Sequence, residues 1–363
     1  MEARDTNDSA ARPTGTAVSG PVVAVRAPLG WLGPGRFVEH VSVVIEGDRI
    51  AYAGPTHDAP GSEVTVPLDG VLLPAVADRH VHIALADPGA VLLGGVTAVR
   101  DLAWPSEEIF PLADASEGPN FNGPLVRAAG PMITAPRGYP TRSEWAPAGA
   151  GLEVLGPEEA ARAVRDLAAR GAAQIKVSLN AEAGPTPSDD ELVAVVQTAH
   201  ERELLVTAHV QGAGQAERAL GAGIDEIAHT PWSERLSDDL VEAMARSMRI
   251  VSTLDIHSYG VDTPELRTAS DNLWRFTLAG GRVLYGTDLG NGPIPPGIDI
   301  REVIMLFDMG MGAEAILEAM MRSPLEAGAP ADLIGVARNP FEDIDALRDL
   351  RMVMRSGRTV LQR

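Results

Sequence analysis

Short apolar segments alternate with amphipathic segments through the middle of the chain. A helix is predicted to begin at Pro157, which two glutamates follow near the positive end of the helix dipole, and to end before Gly171. Residues 188–191 have the sequence of a capping box, and residues 192–199 then place apolar side chains on one helical face. Further helices are predicted at 215–220, 238–248, 264–279 and 299–309. Because short buried strands separate these helices, the pattern favours a parallel sheet.

The number of strand–helix repeats indicates an α/β fold, a (β/α)8 barrel of the TIM type. The predicted strands end near His82, Asp101, Gly130, Lys176, His209, His229, Leu254 and Asp288. In such a barrel, side chains at the C-terminal ends of different strands meet at one mouth. An open doubly wound sheet is the alternative. The glycine-rich phosphate-binding sequence typical of that fold does not follow the first strand.

Both ends of the chain carry strand-like runs, which are 21–26, 38–45, 49–54, 331–336, 351–354 and 356–361. Residues 46–48 have the sequence of a hairpin turn. We therefore expect residues 21–68 and 331–363 to form one small β-sandwich domain beside a barrel domain of residues 69–330. Residues 1–20 lack apolar periodicity and are predicted to be a flexible tail.

Composition and charge restrict the partners and the location. A formal net charge of −20 over 363 residues would repel the phosphates of nucleic acid. The absence of cysteine excludes disulfides and zinc sites built on thiolates. The N-terminus lacks the pattern of a signal peptide, and no apolar run approaches the ~20 residues that span a bilayer. These features predict a cytoplasmic protein that acts on a small-molecule substrate and has no nucleic-acid or membrane partner. They are also compatible with assembly as a homo-oligomer.

His80 and His82 lie at the end of the first predicted barrel strand. Side chains two residues apart on a strand point to the same face, so the two imidazoles can bind one cation. Alone, the pair is equally compatible with ordinary polar residues near a strand end. Four ionisable residues that close later apolar runs favour a metal site, and these are Lys176, His209, His229 and Asp288. Taken singly, they are also compatible with a solvated lysine, two core histidines and a turn aspartate.

Six segments carry a resemblance to a known family, and these are 78–82, 95–101, 175–176, 207–209, 227–229 and 286–288, with a similar ending at 328–333 and 339–343. Together they resemble the amidohydrolase superfamily, which comprises metal-dependent hydrolases on a (β/α)8 barrel. The chain is most similar to the imidazolonepropionase-like subgroup that includes Xaa-Pro dipeptidases. One departure is the sequence Pro-Ala-Val-Ala-Asp at 74–78, where the family has Pro-Gly-Phe-Ile-Asp. The replaced residues pack and do not bind metal, so the site is expected to be retained.

The resemblance implies a binuclear metal site. His80 and His82 would bind one divalent cation, His209 and His229 would bind the second, and a CO2-derived carbamate on Lys176 would bridge the two. Asp288 would contact the metal-activated hydroxide and act as the catalytic proton shuttle. Imidazole and oxygen ligands suit Zn²⁺, with Mn, Co, Ni or Fe as alternatives. If Lys176 stays unmodified, the site would hold a single metal.

The implied function is hydrolysis of a C–N bond in an amide, a cyclic amide or a small peptide. Candidate substrate contacts lie on predicted mouth loops, and these are Arg137, Tyr139, His257 and Asn291. The same site could instead serve deamination, decarboxylation or a biosynthetic cyclisation, since function depends on the loops. A non-catalytic scaffold relative is the remaining alternative, but such proteins usually lack several metal ligands.

Overall fold

The computed structural model describes residues 20–363, so the predicted tail lies outside the described residues except for Gly20. The strands are β1 (Val23–Trp31), β2 (Phe37–Glu46), β3 (Arg49–Pro55), β4 (Val64–Pro67), β5 (Val71–Pro74), β6 (Val76–Val81), β7 (Val96–Asp101), β8 (Leu125–Ala128), β9 (Met132–Thr134), β10 (Gly151–Glu153), β11 (Ile175–Asn180), β12 (Val206–Gln211), β13 (Glu226–Ile227), β14 (Arg249–Val251), β15 (Arg282–Leu284), β16 (Leu333–Val336), β17 (Leu350–Arg355) and β18 (Arg358–Gln362). The α-helices are α1 (Pro88–Leu93), α2 (Ser106–Ser116), α3 (Pro157–Ala169), α4 (Asp189–His200), α5 (Gln215–Ala222), α6 (Asp238–Ser247), α7 (Pro264–Leu278), α8 (Ile300–Asp308) and α9 (Ala313–Met320).

The two ends of the chain meet in one eight-stranded sheet. Its order is β18-β17-β16-β5-β1-β2-β3, and β4 pairs with β1. The predicted hairpin joins β2 to β3 through Gly47, whose φ of 62° suits a residue without a Cβ. β5 lies beyond the domain boundary expected at residue 68, yet it pairs with β1 and β16. The terminal sheet therefore reaches Pro74, directly before β6.

The middle of the chain forms parallel strands, as the strand–helix alternation predicts. Strands β6 to β8 make one parallel sheet, and β9 to β15 make a second in the order β10-β9-β11-β12-β13-β14-β15. The eight predicted strands correspond to β6, β7, β8 and β11 to β15, whereas β9 and β10 are additional short strands. The described part of the chain therefore has an α/β fold, and most of the predicted site residues lie on or directly after its parallel strands.

Backbone hydrogen bonds join the two parallel sheets at both of their borders. The Ala173 N–H donates to the Ala128 carbonyl at 2.8 Å, which connects the approach to β11 with the end of β8. At the other border, the Arg79 N–H donates to Tyr285 O at 3.0 Å, and the Asp288 N–H donates to His80 O at 2.8 Å. The first and last parallel strands are therefore neighbours, although more than 200 residues separate His80 from Asp288 in the sequence.

The helix boundaries follow the predicted capping signals. The Ser188 hydroxyl accepts a hydrogen bond from the Glu191 N–H, and the Glu191 carboxylate accepts one from the Ser188 N–H, which is the predicted capping box of α4. α3 begins at Pro157 as predicted. Among residues 20–363, no helix has both the length and the apolar character needed to cross a lipid bilayer.

Candidate metal centre

His80, His82 and Asp288 meet at the mouth of the parallel strands. Nε2 of His80 and Nε2 of His82 each lie 3.2 Å from Asp288 Oδ1, and all three side chains are buried. Their potential ligand atoms all lie within 4.8 Å of one another. The strand geometry explains the histidine pair, because residues 80 and 82 of an extended segment point to the same face.

Asp288 is held in an unusual backbone conformation. Its φ of 61° lies in the left-handed region, which is uncommon for a residue with a Cβ. The hydrogen bond from its own N–H to His80 O keeps the backbone in place, and the Asn291 Nδ2–H donates to Asp288 Oδ2 at 3.0 Å. Because Oδ2 faces Asn291, Oδ1 is the oxygen that faces the two histidines.

A buried carboxylate ties the histidine strand to the Asp288 loop. Asp78 accepts hydrogen bonds from the His80 N–H at 3.0 Å, from the Thr287 N–H at 3.1 Å and from the Thr287 hydroxyl at 2.6 Å. Burial raises the pKa of Asp78 to about 7, although these hydrogen bonds oppose the shift. Asp78 therefore fixes the relative position of His80 and Asp288 without contacting the centre of the site itself.

His229 and His209 complete a row of rings beside His80. The ring centroids of His80 and His229 lie 4.4 Å apart, and those of His229 and His209 lie 4.8 Å apart. His209 lies within β12, two residues before its end, and His229 lies two residues after β13. The structure thus brings all four predicted histidines to one place.

Each ring is oriented by a hydrogen bond from the nitrogen that faces away from the centre. His80 Nδ1 lies 2.7 Å from Ala228 O, and His82 Nδ1 lies 3.3 Å from Ala103 O. Because a carbonyl only accepts, both Nδ1 atoms carry the proton in the neutral rings and both Nε2 atoms carry the lone pair. His229 Nδ1 lies 2.9 Å from Thr253 Oγ1, which leaves its Nε2 directed inward in the same way.

His209 is oriented through its other nitrogen. Nε2 of His209 lies 3.4 Å from both Asn180 Nδ2 and Gln211 Oε1, and Asn180 Nδ2 donates to Gln211 Oε1 at 2.7 Å. This arrangement leaves Nδ1 of His209 as the nitrogen available to a cation. Partner groups of this kind fix the tautomer and direction of metal-binding histidines in proteins.

Burial keeps most of these imidazoles neutral. It lowers the pKa of His209 to about 3 and lowers the pKa of His80 and His229 well below the usual value. Burial also disfavours the charged form of His82, but its contact with Asp288 raises the pKa of His82 overall. Neutral imidazole is the form that binds metal ions.

Lys176 lies deeper in the sheet than predicted. We expected it at the C-terminal end of its strand, but it is the second residue of β11 (Ile175–Asn180). The apolar run before it has no strand geometry, and β11 continues through residues whose pattern did not indicate a strand. Lys176 pairs in register with Thr207, and Ser178 pairs with His209. The long lysine side chain can span this difference of one pleat, about 6.6 Å.

The Lys176 amine is buried and unpartnered. Its side chain is fully inaccessible to solvent, and Nζ has no hydrogen-bond partner among the described residues. Burial lowers the pKa of Lys176 to about 7, although the negative charges of Asp288 and Glu226 oppose the shift. Lys176 is also the single lysine in a chain with 30 lysine and arginine residues. This compositional signal would have strengthened the prediction that Lys176 belongs to the site.

A network of paired charges lies one layer below the site. Glu226, in register with Thr207, is fully buried and accepts a hydrogen bond from the Thr207 hydroxyl at 3.0 Å. It pairs with the Arg100 guanidinium at 3.1 Å and with the Arg249 guanidinium at 3.4 Å. We call Arg100, Thr207, Glu226 and Arg249 the lower network, in which one carboxylate pairs with two guanidinium groups.

A cavity of about 220 Å³ opens above the histidines. Its lining consists of His80, His82, Met132, Tyr139, His209, Gln211, His229, Trp232, Ile256, His257, Tyr259, Asp288 and Asn291. Three of the four predicted substrate contacts, Tyr139, His257 and Asn291, are therefore at the cavity. Arg137 is exposed and lies outside this lining. The arginine is fixed through its backbone, since the Arg137 N–H donates to Glu153 Oε1 at 2.8 Å.

Sequence reasoning missed Trp232, Gln211 and Tyr259 as cavity residues. Trp232 follows His229 by three residues, and Gln211 follows His209 by two. The rule that residues just after a parallel strand face the mouth, which we applied to His257, would have included both. Tyr259 has no comparable sequence signal.

The donor set fits divalent cations. Nε2 of His80 and Nε2 of His82 present lone pairs to Asp288 Oδ1, and such atoms repel one another at 3.2 Å unless a cation or proton lies between them. Two ligands that are each ~2.1 Å from one ion lie roughly 3.0–3.4 Å apart at octahedral or tetrahedral angles. Asp288 Oδ1 and Lys176 Nζ are also buried without a hydrogen-bond partner among the described residues.

The sequence profile of the amidohydrolase family matches residues 71–360 of the chain. The chain belongs to the amidohydrolase family. This result confirms the resemblance drawn from the sequence motifs.

Among sequence relatives of this amidohydrolase is an ochratoxinase of Aspergillus niger. The two sequences are 26% identical over an alignment of 418 residues, which covers 92% of this chain and 84% of that protein. An uncharacterized protein of Mycobacterium tuberculosis is 27% identical over 331 residues, with coverage of 80% and 85%.

Solved structures show that the amidohydrolase fold is shared over nearly the whole chain. A Xaa-Pro dipeptidase crystallised with methionine in its active site has a TM-score of 0.78 at 24% identity, covering 93% of this chain and 99% of that chain. The crystal structure of the A. niger ochratoxinase has a TM-score of 0.81 at 21% identity, with coverage of 94% and 96%.

Proposed function

We propose that this amidohydrolase is a metal-dependent enzyme that hydrolyses the C–N bond of an amide, a cyclic amide or a small peptide. The observation that carries the proposal is the meeting of four oriented imidazoles and one ionised carboxylate at a single cavity, together with an unpartnered buried amine, that of Lys176, which interacts electrostatically with the same imidazoles. Family membership supports hydrolysis of such bonds, and the ochratoxinase and dipeptidase relatives are compatible with it.

We further propose that the two parallel sheets close into a (β/α)8 barrel and that the terminal sheet folds into a small β-sandwich domain. The hydrogen bonds across both borders, between Ala173 and Ala128 and between Arg79 and Tyr285, support closure of the barrel. A separate apolar cluster that includes Val25, Val43 and Met352 supports an independent core for the terminal domain.

The residues divide into two groups around two cations in this proposal. His80 and His82 would hold one cation through Nε2, and His229 and His209 would hold the other through Nε2 and Nδ1. Lys176 would bridge the cations after CO2 converts its amine to a carbamate, a reaction that requires the neutral amine which burial favours. Zn²⁺ best suits nitrogen and oxygen donors, with Mn, Co, Ni or Fe as alternatives. When bound, the cations lower the pKa of water from about 15.7 to about 7 and polarise the substrate carbonyl.

Asp288 is the proposed acid–base residue. Burial disfavours its charge, but the interactions with His80 and His82 and the hydrogen bond from Asn291 outweigh that cost and lower the pKa of Asp288 to about 2. The carboxylate is therefore ionised at neutral pH and can accept a proton from the attacking water through Oδ1. It can then donate that proton to the leaving nitrogen, a transfer worth roughly 10²–10⁴-fold in rate.

The cavity residues would hold the substrate. The Tyr139 hydroxyl accepts a hydrogen bond from Trp145 Nε1 at 3.1 Å, so its own O–H can donate to a substrate oxygen. His257 lines the cavity and its Nε2 has no hydrogen-bond partner among the described residues, and Asn291 both lines the cavity and orients Asp288. Arg137 would reach a substrate only from the rim.

The expectations about partners and location stay predictions. They are a small-molecule substrate, a cytoplasmic location, assembly as a homo-oligomer and the lack of nucleic-acid or membrane partners.

The experiment is a product analysis of metal-loaded protein against a panel of amides, lactams, dipeptides and amines. We expect a carboxylic acid and an amine in equal amounts from at least one amide, identified by mass spectrometry. Release of ammonia, CO2 or a cyclised product without any acid and amine pair would contradict the proposal and favour deamination, decarboxylation or cyclisation on the same site.

A further inference from the structure

His257 and Trp232 form one wall of the cavity, which we call the aromatic wall. Their ring centroids lie 4.4 Å apart at an interplanar angle of 41°, and both residues line the cavity. The Trp232 ring also stands nearly perpendicular to the His229 ring, with centroids 5.7 Å apart. The aromatic wall therefore lies directly beside the proposed metal ligands, where the group next to a scissile bond would rest.

His257 Nε2 is a polar atom without a partner on this wall. It is shielded from solvent and has no hydrogen-bond partner among the described residues. The backbone of His257 is fixed, because its N–H donates to Leu254 O at 3.1 Å and its carbonyl accepts from the Thr263 hydroxyl at 2.6 Å. Burial lowers the pKa of His257 to about 4, so the ring is neutral near pH 7 and offers a hydrogen bond without a charge. A ligand that pairs with Nε2 removes the cost of leaving it unsatisfied.

The size of the cavity limits the group that can rest against the aromatic wall. Its volume is about 220 Å³, whereas an apolar cavity of ~150 Å³ is enough to bind benzene. The cavity is therefore large enough for one six-membered ring, and any further part of the substrate extends through the mouth. Tyr139, whose ring centroid lies 4.9 Å from that of His209, contributes another aromatic ring to the lining.

We propose that the enzyme acts on amides whose cavity-bound side is an aromatic ring with a hydrogen-bonding heteroatom, packed against Trp232 and His257 with its heteroatom bonded to His257 Nε2. This inference rests on the proposed amide hydrolysis and names its substrate class. Trp232 and His257 are specificity-determining residues in it, and neither takes part in the proton transfers assigned to Asp288.

The contribution of the ring is tested by binding, with two ligands that differ only in ring saturation and with metal-loaded protein that carries Asp288→Asn, in which hydrolysis of the amides is slow. Phenylacetamide is expected to bind about 2- to 12-fold more tightly than cyclohexylacetamide in titration calorimetry, the range for a favourable aromatic pair. Trp232→Leu should remove this preference, and Trp232→Phe should restore part of it. Trp274→Leu changes a partly exposed tryptophan on α7 outside the cavity lining and should keep the preference.

The contribution of His257 is tested with the three pyridylacetamide isomers, whose ring nitrogen lies at different positions. At least one isomer should bind more tightly than phenylacetamide, and His257→Phe should weaken that isomer by roughly 2- to 12-fold, the range for a neutral hydrogen bond. The same variant should leave phenylacetamide binding nearly unchanged, because phenylalanine retains the stacked ring.

The outcomes separate this inference from the proposed function. Equal affinities of the saturated and aromatic ligands, or a preference that persists in Trp232→Leu, overturns the aromatic wall even if amides are hydrolysed. If the amide panel yields no acid and amine pair while the ligand preferences follow the variants, the proposed function fails and the binding inference stands.

Discussion

The metal centre and the lower network are two sets of buried polar groups in the same parallel strands, and they are satisfied in opposite ways. In the lower network, the Glu226 carboxylate accepts hydrogen bonds from Arg100 at 3.1 Å and from Thr207 at 3.0 Å. In the metal centre, Asp288 Oδ1 and Lys176 Nζ are buried without hydrogen-bond partners among the described residues. Both regions are shielded from water. They differ in whether their buried polar atoms have hydrogen-bond partners within the protein.

This difference distinguishes a structural set of charges from a site that needs a ligand. Buried charges cost several kcal/mol each unless they are paired, and the lower network meets that requirement with protein groups alone. In the metal centre, the imidazoles present lone pairs to a carboxylate oxygen, so a cation or a proton must lie between them. We therefore expect perturbations of the metal centre to change turnover and perturbations of the lower network to change stability.

Removal of the metal ions is expected to have the largest effect on turnover. Exhaustive chelation should abolish amide hydrolysis, and addition of Zn²⁺, Mn²⁺ or Co²⁺ should restore it, because no protein group replaces the cations in activating water. Elemental analysis of the active protein should find about two transition-metal ions per chain. Full turnover in protein shown to be metal-free would contradict the proposed chemistry.

Substitution of the proposed acid–base residue should have the next largest effect. Asp288→Asn keeps the size of the side chain but cannot accept the proton, so kcat should fall by about 10²–10⁴-fold. Metal content should stay close to that of the wild type, since both His pairs remain. Asp308→Asn, at an exposed position at the end of α8, is the matched control and should retain kcat. Unchanged kcat in Asp288→Asn would show that another group moves the proton.

Loss of the Lys176 amine should weaken the binding of the second cation. Lys176→Met is expected to lower metal affinity by more than the roughly 10- to 100-fold typical of an outer hydrogen-bond partner. Since Lys176 is the only lysine, protein equilibrated with ¹³C-labelled bicarbonate should give one carbamate carbon signal in NMR spectra. That signal should be absent from Lys176→Met; a signal that persists there would belong to the N-terminal amine.

Loss of an orienting hydrogen bond should have a smaller effect. Thr253→Val removes the hydroxyl that lies 2.9 Å from His229 Nδ1 but keeps the branched shape. Metal affinity should fall by about 10- to 100-fold, and saturating metal should restore most of the turnover. Thr268→Val on α7 is the control, because among residues 20–363 its hydroxyl bonds to the helix backbone at Pro264 alone. Loss of turnover that excess metal does not restore would assign Thr253 a different role.

Disruption of the lower network should affect turnover least and stability most. Glu226→Gln removes the buried anion that pairs with Arg100 and Arg249, so the free energy of unfolding should fall by about 3–5 kcal/mol. Urea denaturation measures this loss, and the folded protein should keep its metal content. If Glu226→Gln instead lost metal without loss of stability, the contrast between the two regions would be wrong.

The sequence predicted regular elements well where local geometry determines the pattern. The capping box at Ser188, the helix start at Pro157 and the turn at Gly47 all lie where the sequence placed them. It also predicted the His80–His82 pair, because alternation along one strand depends only on neighbouring residues. These features need no information about distant parts of the chain.

Long-range pairing could not be predicted in the same way. The depth of Lys176 depends on its register with Thr207, and the membership of β5 in the terminal sheet depends on pairing with a strand near the C-terminus. The aromatic wall depends on contact between two separate mouth loops that carry Trp232 and His257. No local pattern specifies which loops meet.

The sequence by itself determined which residue types the site contains, their order along the chain and the parallel strands that carry most of them. Only the tertiary structure decided which nitrogen of each histidine faces inward, how Asp288 is turned toward His80 and His82, and which polar atoms stay unpaired. The physical reason is that strand and helix periodicity is encoded in neighbouring residues. The orientation of a ring or carboxylate depends instead on hydrogen bonds to groups that folding brings from distant strands, as with His80 and Ala228.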